Sequence, residues 1–186
     1  MEALIASTVA VAIAEMGDKT QLLALLLVGR YGRPLLICLG ILVATLINHG
    51  LSAWLGSWLG DLIPTTWLPW IIGCSFLAVA LWMLIPDSVD DSNGRFATLG
   101  PFMATCILFF LAEIGDKTQI ATIVLAANYS ATWMVIIGTT LGMLLANVPV
   151  VLCGRWILQR INLTCVHIGA FILFLGFALA SFWQGF

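Results

Sequence analysis

The sequence predicts an all-α membrane protein with six transmembrane helices arranged as two inverted three-helix repeats. Three observations predict it. First, 62% of the residues are hydrophobic and 9% charged, with a mean hydropathy of +1.11. A soluble globular domain carries about 25% charged residues, so this chain cannot cover a water-facing surface and lipid must be its main solvent. Second, 186 residues accommodate about six spans of ~20 residues joined by short loops. Third, one polar motif occurs twice inside otherwise apolar stretches.

The spans are expected at 3–28, 35–60, 66–86, 100–127, 132–154 and 163–183. Arg30-Tyr31-Gly32-Arg33-Pro34 is polar, ends in proline and divides the first two. Asp61, Pro64, Thr65 and Thr66 mark the next turn. The segment from Pro86 to Gly100 is the longest polar loop, with Asp87, Asp90, Asp91, Asn93, Gly94 and Arg95. Asn128-Tyr129-Ser130 and the stretch Arg155 to Asn162 separate the last three spans. The organisation is therefore a first repeat over 1–86, an acidic cytoplasmic loop over 87–99 and a second repeat over 100–186, forming one membrane domain. The N-terminus lacks the positive n-region of a signal peptide, so the first apolar stretch is expected to be a retained helix.

Loop charge predicts orientation. Arg30, Arg33, Arg95, Arg155 and Arg160 fall in loops on one side of a six-span topology, while the other loops and both termini carry no Arg or Lys. The arginine side is expected in the cytoplasm and both termini outside it. The tryptophans, among them Trp67, Trp70, Trp133 and Trp183, sit mostly near span ends, as interfacial anchors do.

Several function classes are excluded by composition. Net charge is −2 and no basic cluster exists, so no nucleic-acid partner is expected. Cys38, Cys74, Cys106, Cys153 and Cys165 stand singly, without a Cys-x-x-Cys pair, and read as small packing residues rather than a zinc site or disulfide framework. No phosphate-binding Gly-Lys-Ser/Thr loop is present, which leaves ion gradients or passive flow as the driving force. No nucleophile–base constellation points to an enzyme.

The repeat carries the functional signal. Ala14-Glu15-Met16-Gly17-Asp18-Lys19-Thr20-Gln21 matches Ala112-Glu113-Ile114-Gly115-Asp116-Lys117-Thr118-Gln119, 98 residues later (112 less 14). The same ungapped offset pairs Tyr31 with Tyr129, Gly40 with Gly138, Gly56 with Gly154 and Trp58 with Trp156. This is a duplicated three-helix unit. Three is odd, so the second unit enters the membrane from the opposite face. A pseudo-two-fold axis in the membrane plane would then bring both motifs together near the midplane, as in many secondary transporters.

Glu15, Asp18, Lys19, Glu113, Asp116 and Lys117 place six formal charges inside apolar spans. At roughly 2.5–3.5 kcal/mol each, they would cost on the order of 15–20 kcal/mol uncompensated. They must pair, bind something or line a wet cavity. Glu15–Lys19 and Glu113–Lys117 have i,i+4 spacing, which suits intrahelical ion pairs. Together the motifs carry net −2, which a doubly charged cation would neutralise. The candidate metal ligands are Glu15, Asp18, Gln21, Glu113, Asp116 and Gln119, with Lys19, Thr20, Lys117 and Thr118 in support. Oxygen-only donors suit Mn²⁺, Ca²⁺ or Mg²⁺ better than Zn²⁺ or Cu⁺. Gly17 and Gly115 would allow either close helix approach or local unwinding that bares backbone carbonyls.

Asn48 and Asn147 are further supporting candidates, for the ion shell or for interhelical hydrogen bonds; the offset aligns His49 with Asn147. His167 reads as a hydrogen-bonded core residue. Asp87, Asp90 and Asp91 read as a solvated loop, with too few correctly spaced oxygens for an EF-hand.

The doubled Glu-x-Gly-Asp-Lys-Thr, one copy per three-helix half, resembles the signature of a family of cation exporters that includes Golgi manganese/calcium transporters and bacterial MneA-type manganese exporters. The resemblance spans the whole chain. It implies export of Mn²⁺ (or Ca²⁺) from the cytoplasm, in exchange for protons, with Glu15, Asp18, Glu113 and Asp116 as ion-binding carboxylates. It implies a metal ion as transported substrate, no prosthetic group, and a multi-pass position in a bacterial inner membrane. A homodimer is left open. A Ca²⁺/H⁺ exchanger using the same site, and an exporter of small organic cations or amino acids, are the competing readings.

Overall fold

The computed structural model describes residues 1–85, 99–154 and 162–185. Asp87, Asp90, Asp91, Arg95, Arg155 and Arg160 lie outside the described residues, and so do the expectations placed on them. The described residues form eight α-helices and no strand. They are α1 (Glu2–Glu15), α2 (Lys19–Tyr31), α3 (Pro34–Leu62), α4 (Leu68–Met83), α5 (Pro101–Glu113), α6 (Lys117–Asn128), α7 (Thr132–Cys153) and α8 (Leu163–Gln184).

The helix boundaries repeat along the chain, α1 to α4 matching α5 to α8. The second, third, fifth and sixth expected spans appear as single helices (α3, α4, α7, α8). The first and fourth do not: each is two half-helices broken at the motif. The i,i+4 reading of Glu15–Lys19 and Glu113–Lys117 takes each span as a continuous helix, with unwinding at Gly17 and Gly115 as the other expectation. Gly17 and Gly115 take left-handed φ values of 84° and 76°, a region that glycine enters freely and L-residues do not. Asp18 and Asp116 then start the second half-helices in extended conformation, with φ/ψ of −78°/166° and −81°/164°. The same break is thus built twice. It also abolishes the i,i+4 geometry assumed for Glu15–Lys19 and Glu113–Lys117.

Among the described residues, three helices are long and apolar enough to cross a membrane: Pro34–Leu62, Thr132–Cys153 and Thr164–Gln184. α4 and α5 are apolar but shorter. A half-helix of 13 or 14 residues reaches only about 20 Å at 1.5 Å per residue, so α1 and α2 need each other to cross an apolar layer of ~30 Å.

The halves interlock. α1 packs on α7, and α5 packs correspondingly on α3; α4 lies along α8, and α3 along α7. Small residues let these helices close on one another. A side chain on Gly40 would strike Thr105 of α5, and one on Gly138 would strike Ser7 of α1. These are equivalent pairs under the 98-residue offset. Between α4 and α8 the contact is aromatic: the Phe76 ring lies 6.1 Å from Phe174 and 5.4 Å from Phe177, centroid to centroid.

Trp67, Trp133 and Trp183 are largely exposed at the start of α4, the start of α7 and the end of α8, as interfacial anchors require. The cysteines depart from expectation. All five are free, but Cys74, Cys153 and Cys165 are exposed rather than packed inside. Each lies on an apolar helix whose outer face meets lipid instead of core. His167 is only half-buried, near the start of α8, not a core residue.

The positive φ at Gly115 generates a prediction. A methyl group there would meet nothing within 4 Å, so Gly115→Ala probes backbone conformation alone. It should destabilise the protein by about 1–2 kcal/mol, the left-handed penalty for an L-residue. Thermal unfolding in detergent measures this; an unchanged midpoint would contradict the observed break.

Candidate functional site

The two breaks lie beside each other at the centre of the bundle. Each break ends one half-helix on its glutamate and begins the next on its lysine, with the aspartate as N-terminal flanking residue. Asp18 and Asp116 accept backbone N–H bonds through their carbonyls, from Gln21 at 3.1 Å and Ile120 at 3.2 Å. Their carboxylates are left to do something else.

Carboxylate oxygens of Glu15, Glu113 and Asp116 all lie within 4.8 Å of one another. Glu15 comes from the first half, the other two from the second, and all three are buried, at 0%, 1% and 3% exposure. Asp18 is buried as well, at 5%, but stands outside this triad. Two oxygens on opposite sides of a single ion at about 2.4 Å are about 4.8 Å apart, so the triad is compact enough to share one cation.

Threonines orient the glutamates. Thr20 Oγ1 donates to Glu15 Oε2 at 2.6 Å, and Thr118 Oγ1 to Glu113 Oε2 at 3.0 Å. Thr118 also lies 3.3 Å from Asp116 Oδ2. The second oxygens, Glu15 Oε1 and Glu113 Oε1, are buried and make no hydrogen bond. A buried acceptor without a donor is unfavourable by about 1–3 kcal/mol. Two of them in one cluster mark where a cation or proton would be held.

The glutamines brace the breaks. Gln21 Oε1 accepts from the Gly17 N–H at 2.8 Å, and Gln119 Oε1 from the Gly115 N–H at 2.7 Å. Each stabilises the left-handed turn through its own motif, and an amide oxygen so engaged retains one lone pair. Their amide nitrogens reach across the bundle. Gln21 donates to the Ala146 carbonyl at 2.8 Å, and Gln119 to Asn48 Oδ1 at 2.8 Å. Ala146 and Asn48 are equivalent positions (146 less 98 is 48), so both motifs are tied to the long helix of the other half at the same position, one through a backbone carbonyl and the other through a side-chain amide.

Asn48 thus belongs to the layer around the motif, its Nδ2 also donating to the Phe110 carbonyl at 3.4 Å. Asn147 is fully buried and donates to the Met143 carbonyl at 3.2 Å. Its Oδ1, like both ring nitrogens of the buried His49, has no partner. His49 is not part of the carboxylate cluster.

The lysines break the symmetry. Lys19 Nζ pairs with Asp116 Oδ1 of the other half at 2.7 Å, in place of the intrahelical partner Glu15 that the spacing suggested. Lys117 Nζ donates to the Ile85 carbonyl, two residues past the end of α4, at 2.7 Å. The Lys19 side chain is 26% exposed, whereas Lys117 is 4% exposed. Sequence reasoning missed both partners. No local pattern announces a contact between halves, although the paired motifs did point to the region.

The chemistry available is oxygen ligation of a hard cation in a dry setting. Three carboxylates and one ammonium sum to −2 when ionised. Two unit charges 4.8 Å apart repel by about 3.5 kcal/mol at an effective dielectric of ~20. The cluster therefore accumulates repulsion that a proton or a dication relieves.

Comparison with known proteins agrees with this chemistry. The family described as "Divalent cation/proton antiporter GDT1" matches residues 3–91 and 101–186. A Vibrio cholerae protein named "Putative manganese exporter" is 51% identical over 182 residues, covering 97% of this chain and 90% of its own length. A GDT1-like protein of Synechocystis is 29% identical over 204 residues, covering 98% of both. GDT1-like protein 3 of Oryza sativa is 30% identical over 209 residues, covering 97% of this chain and 74% of the relative. No solved structure matches. A family match through nearly the whole chain, together with apolar helices and a buried oxygen-donor cluster, establishes a membrane cation transporter: the chain belongs to the GDT1 family of divalent cation/proton antiporters.

Proposed function

We propose that this protein exports Mn²⁺ from the cytoplasm in exchange for protons, by alternating access around the carboxylate cluster. The observation that carries the reading is the buried triad of Glu15, Glu113 and Asp116, drawn from both halves within 4.8 Å. The chain is taken as two inverted repeats, 1–86 and 100–186, joined by the acidic segment 87–99, in a bacterial inner membrane with both termini outside.

The exchange follows from charge. The cluster holds either protons or a dication, because both relieve the same repulsion and compete for the same oxygens. Metal arriving from the cytoplasm displaces protons; protons arriving from the other side displace metal. Glu15, Glu113 and Asp116 are the principal ligands, with Asp18 beside them. Gln21 and Gln119 each offer a remaining lone pair, and Thr20 and Thr118 fix the glutamates. Asn48 supports Gln119 by accepting from its amide, and Asn147 is a further supporting residue on α7. Lys19 acts as a tethered counter-ion for Asp116 while metal is absent, and Lys117 anchors the second break to α4. Exclusively oxygen donors favour Mn²⁺ and Ca²⁺ over softer ions. The manganese assignment leans on the relative at 51% identity.

Two outcomes are expected. In proteoliposomes with an imposed pH gradient, wild-type protein should move Mn²⁺ faster than Ca²⁺, and Glu113→Gln should reduce Mn²⁺ flux to background. Faster Ca²⁺ flux would shift the reading to a Ca²⁺/H⁺ exchanger, and normal flux in Glu113→Gln would remove the central ligand. Lys19→Met leaves Asp116 buried without its partner, a loss worth roughly 3–5 kcal/mol for a buried pair and less here because Lys19 is partly exposed. The variant should therefore melt lower than wild type without metal and regain most of the difference with Mn²⁺. An equal deficit with and without Mn²⁺ would argue against the counter-ion role.

A further inference from the structure

A cavity of about 380 Å³ lies between α1, α4, α6 and α8, and none of its lining residues belongs to either motif. Its rim carries Glu2, Asn128, Tyr129 and Gln184, from the start of α1 and the ends of α6 and α8. Further in, it is lined by Phe76 and Phe177. Phe76 lies eight residues into α4 and Phe177 seven before the end of α8, which at 1.5 Å per residue is ~10 Å along each helix.

Tryptophans mark the level of the rim. Trp183 adjoins Gln184, and Trp133 opens α7 shortly after Tyr129. Trp67 precedes α4, whose Trp70 ring stands 5.7 Å from Phe182 of α8, so the start of α4 meets the end of α8. Trp67, Trp133 and Trp183 are all exposed, as residues at a membrane–water boundary are. The rim therefore sits at headgroup level and the phenylalanines in the apolar layer. That layout suits an amphiphile, and the volume is that of a small-molecule pocket, most of which a bare metal ion would leave unfilled.

Charge decides which amphiphile. Among the lining residues Glu2 is acidic and none is basic, so an anionic head would meet no counter-charge. Burial and the neighbouring Glu2 carboxylate keep the Tyr129 hydroxyl protonated above its usual range. The 98-residue offset supplies a comparison. The counterparts of Asn128 and Tyr129 are Arg30 and Tyr31, and there the Arg30 guanidinium carbon lies 5.6 Å from the Tyr31 ring centroid, a cation–π contact. In the second half the tyrosine is kept, asparagine replaces the arginine, and Glu2 stands where its counterpart is the uncharged Gly100. A built-in cation is lost where an anion is gained. Room is gained as well: Ala180 and Ser181 line the cavity, and α4 carries Trp82 and Met83 at the equivalent positions.

We propose that this cavity binds the primary ammonium headgroup of an aminophospholipid of the phosphatidylethanolamine type. The ammonium sits between the Glu2 carboxylate and the Tyr129 ring, in the role that Arg30 has at Tyr31. Its three N–H donors suit the oxygens of Glu2 and the rim amides. The amide N–H groups of Asn128 and Gln184 serve the phosphate, and the acyl chains start over Phe76 and Phe177.

Native mass spectrometry of the full chain tests this, with the protein released from micelles holding equal amounts of phosphatidylethanolamine and phosphatidylglycerol of the same acyl chains. Wild-type protein should retain the ethanolamine lipid severalfold over the glycerol lipid. Asn128→Arg supplies the arginine–tyrosine pair on this side and should abolish the preference, as should Glu2→Gln. Ala180→Trp should lower retention of the ethanolamine lipid by filling the space. Should that variant fail to fold, the two rim variants still give the reading. Equal retention of both lipids by wild type, or an undiminished preference in the rim variants, would overturn the proposal. Free ethanolamine at the lipid's concentration should leave the adduct in place; displacement by it would assign the cavity to a soluble amine and overturn the lipid assignment. The lipid ratio is read without ion flux, so it stands or falls apart from the transport reading.

Discussion

Carboxylates held together away from water repel one another, and the surrounding fold has to supply whatever makes that tolerable. Here the repulsion is concentrated in Glu15, Glu113 and Asp116, and much of the local structure can be read as a response to it. Thr20 and Thr118 each satisfy one glutamate oxygen. Lys19 crosses from one half to the other to neutralise Asp116. What remains unsatisfied is two buried glutamate oxygens and an excess of negative charge. On the proposed reading that residue of charge is what transport uses, because a site fully neutralised by its own protein would have no reason to bind a cation.

The backbone breaks serve the same end. A continuous helix would direct its glutamate, aspartate and lysine along one face and let them pair within the helix. The left-handed glycine at 17 or 115 interrupts this, so that the lysine can pair elsewhere. It also leaves a helix C-terminus and a helix N-terminus meeting at the cluster, with their unpaired backbone groups close to the charge. The glutamine side chains hold the turn open through the glycine N–H and fasten it to the opposite half. Glycine and glutamine at matching positions of each motif therefore provide the turn and the tie between halves.

Much of this was legible in the sequence. The helical class, the positions of α3, α4, α7 and α8 and the duplicated motif could be read from hydropathy and from the offset, because burial in lipid demands long apolar runs and because identities at fixed spacing survive without coordinates. The meeting of Glu15 with Glu113 and Asp116 was anticipated from the repeat. The broken spans were only half legible: Gly17 and Gly115 admitted unwinding or close packing, and composition could not decide between a left-handed turn and a tight helix contact. The lysine partners were not legible, since Asp116 and the Ile85 carbonyl are brought to them by tertiary packing. The exposed cysteines were misread because apolar residues in a membrane protein face lipid as readily as core.

The account's central claim is that one dication is held between the halves by carboxylates of both motifs. Anomalous diffraction from crystals grown with Mn²⁺ tests this most directly. The account predicts a single anomalous peak within bonding distance of oxygens from Glu15, Glu113 and Asp116, and loss of the Lys19–Asp116 contact as the metal takes the lysine's place. A peak bound by one half alone, or a Mn²⁺-loaded protein with no peak at the bundle centre, would contradict it.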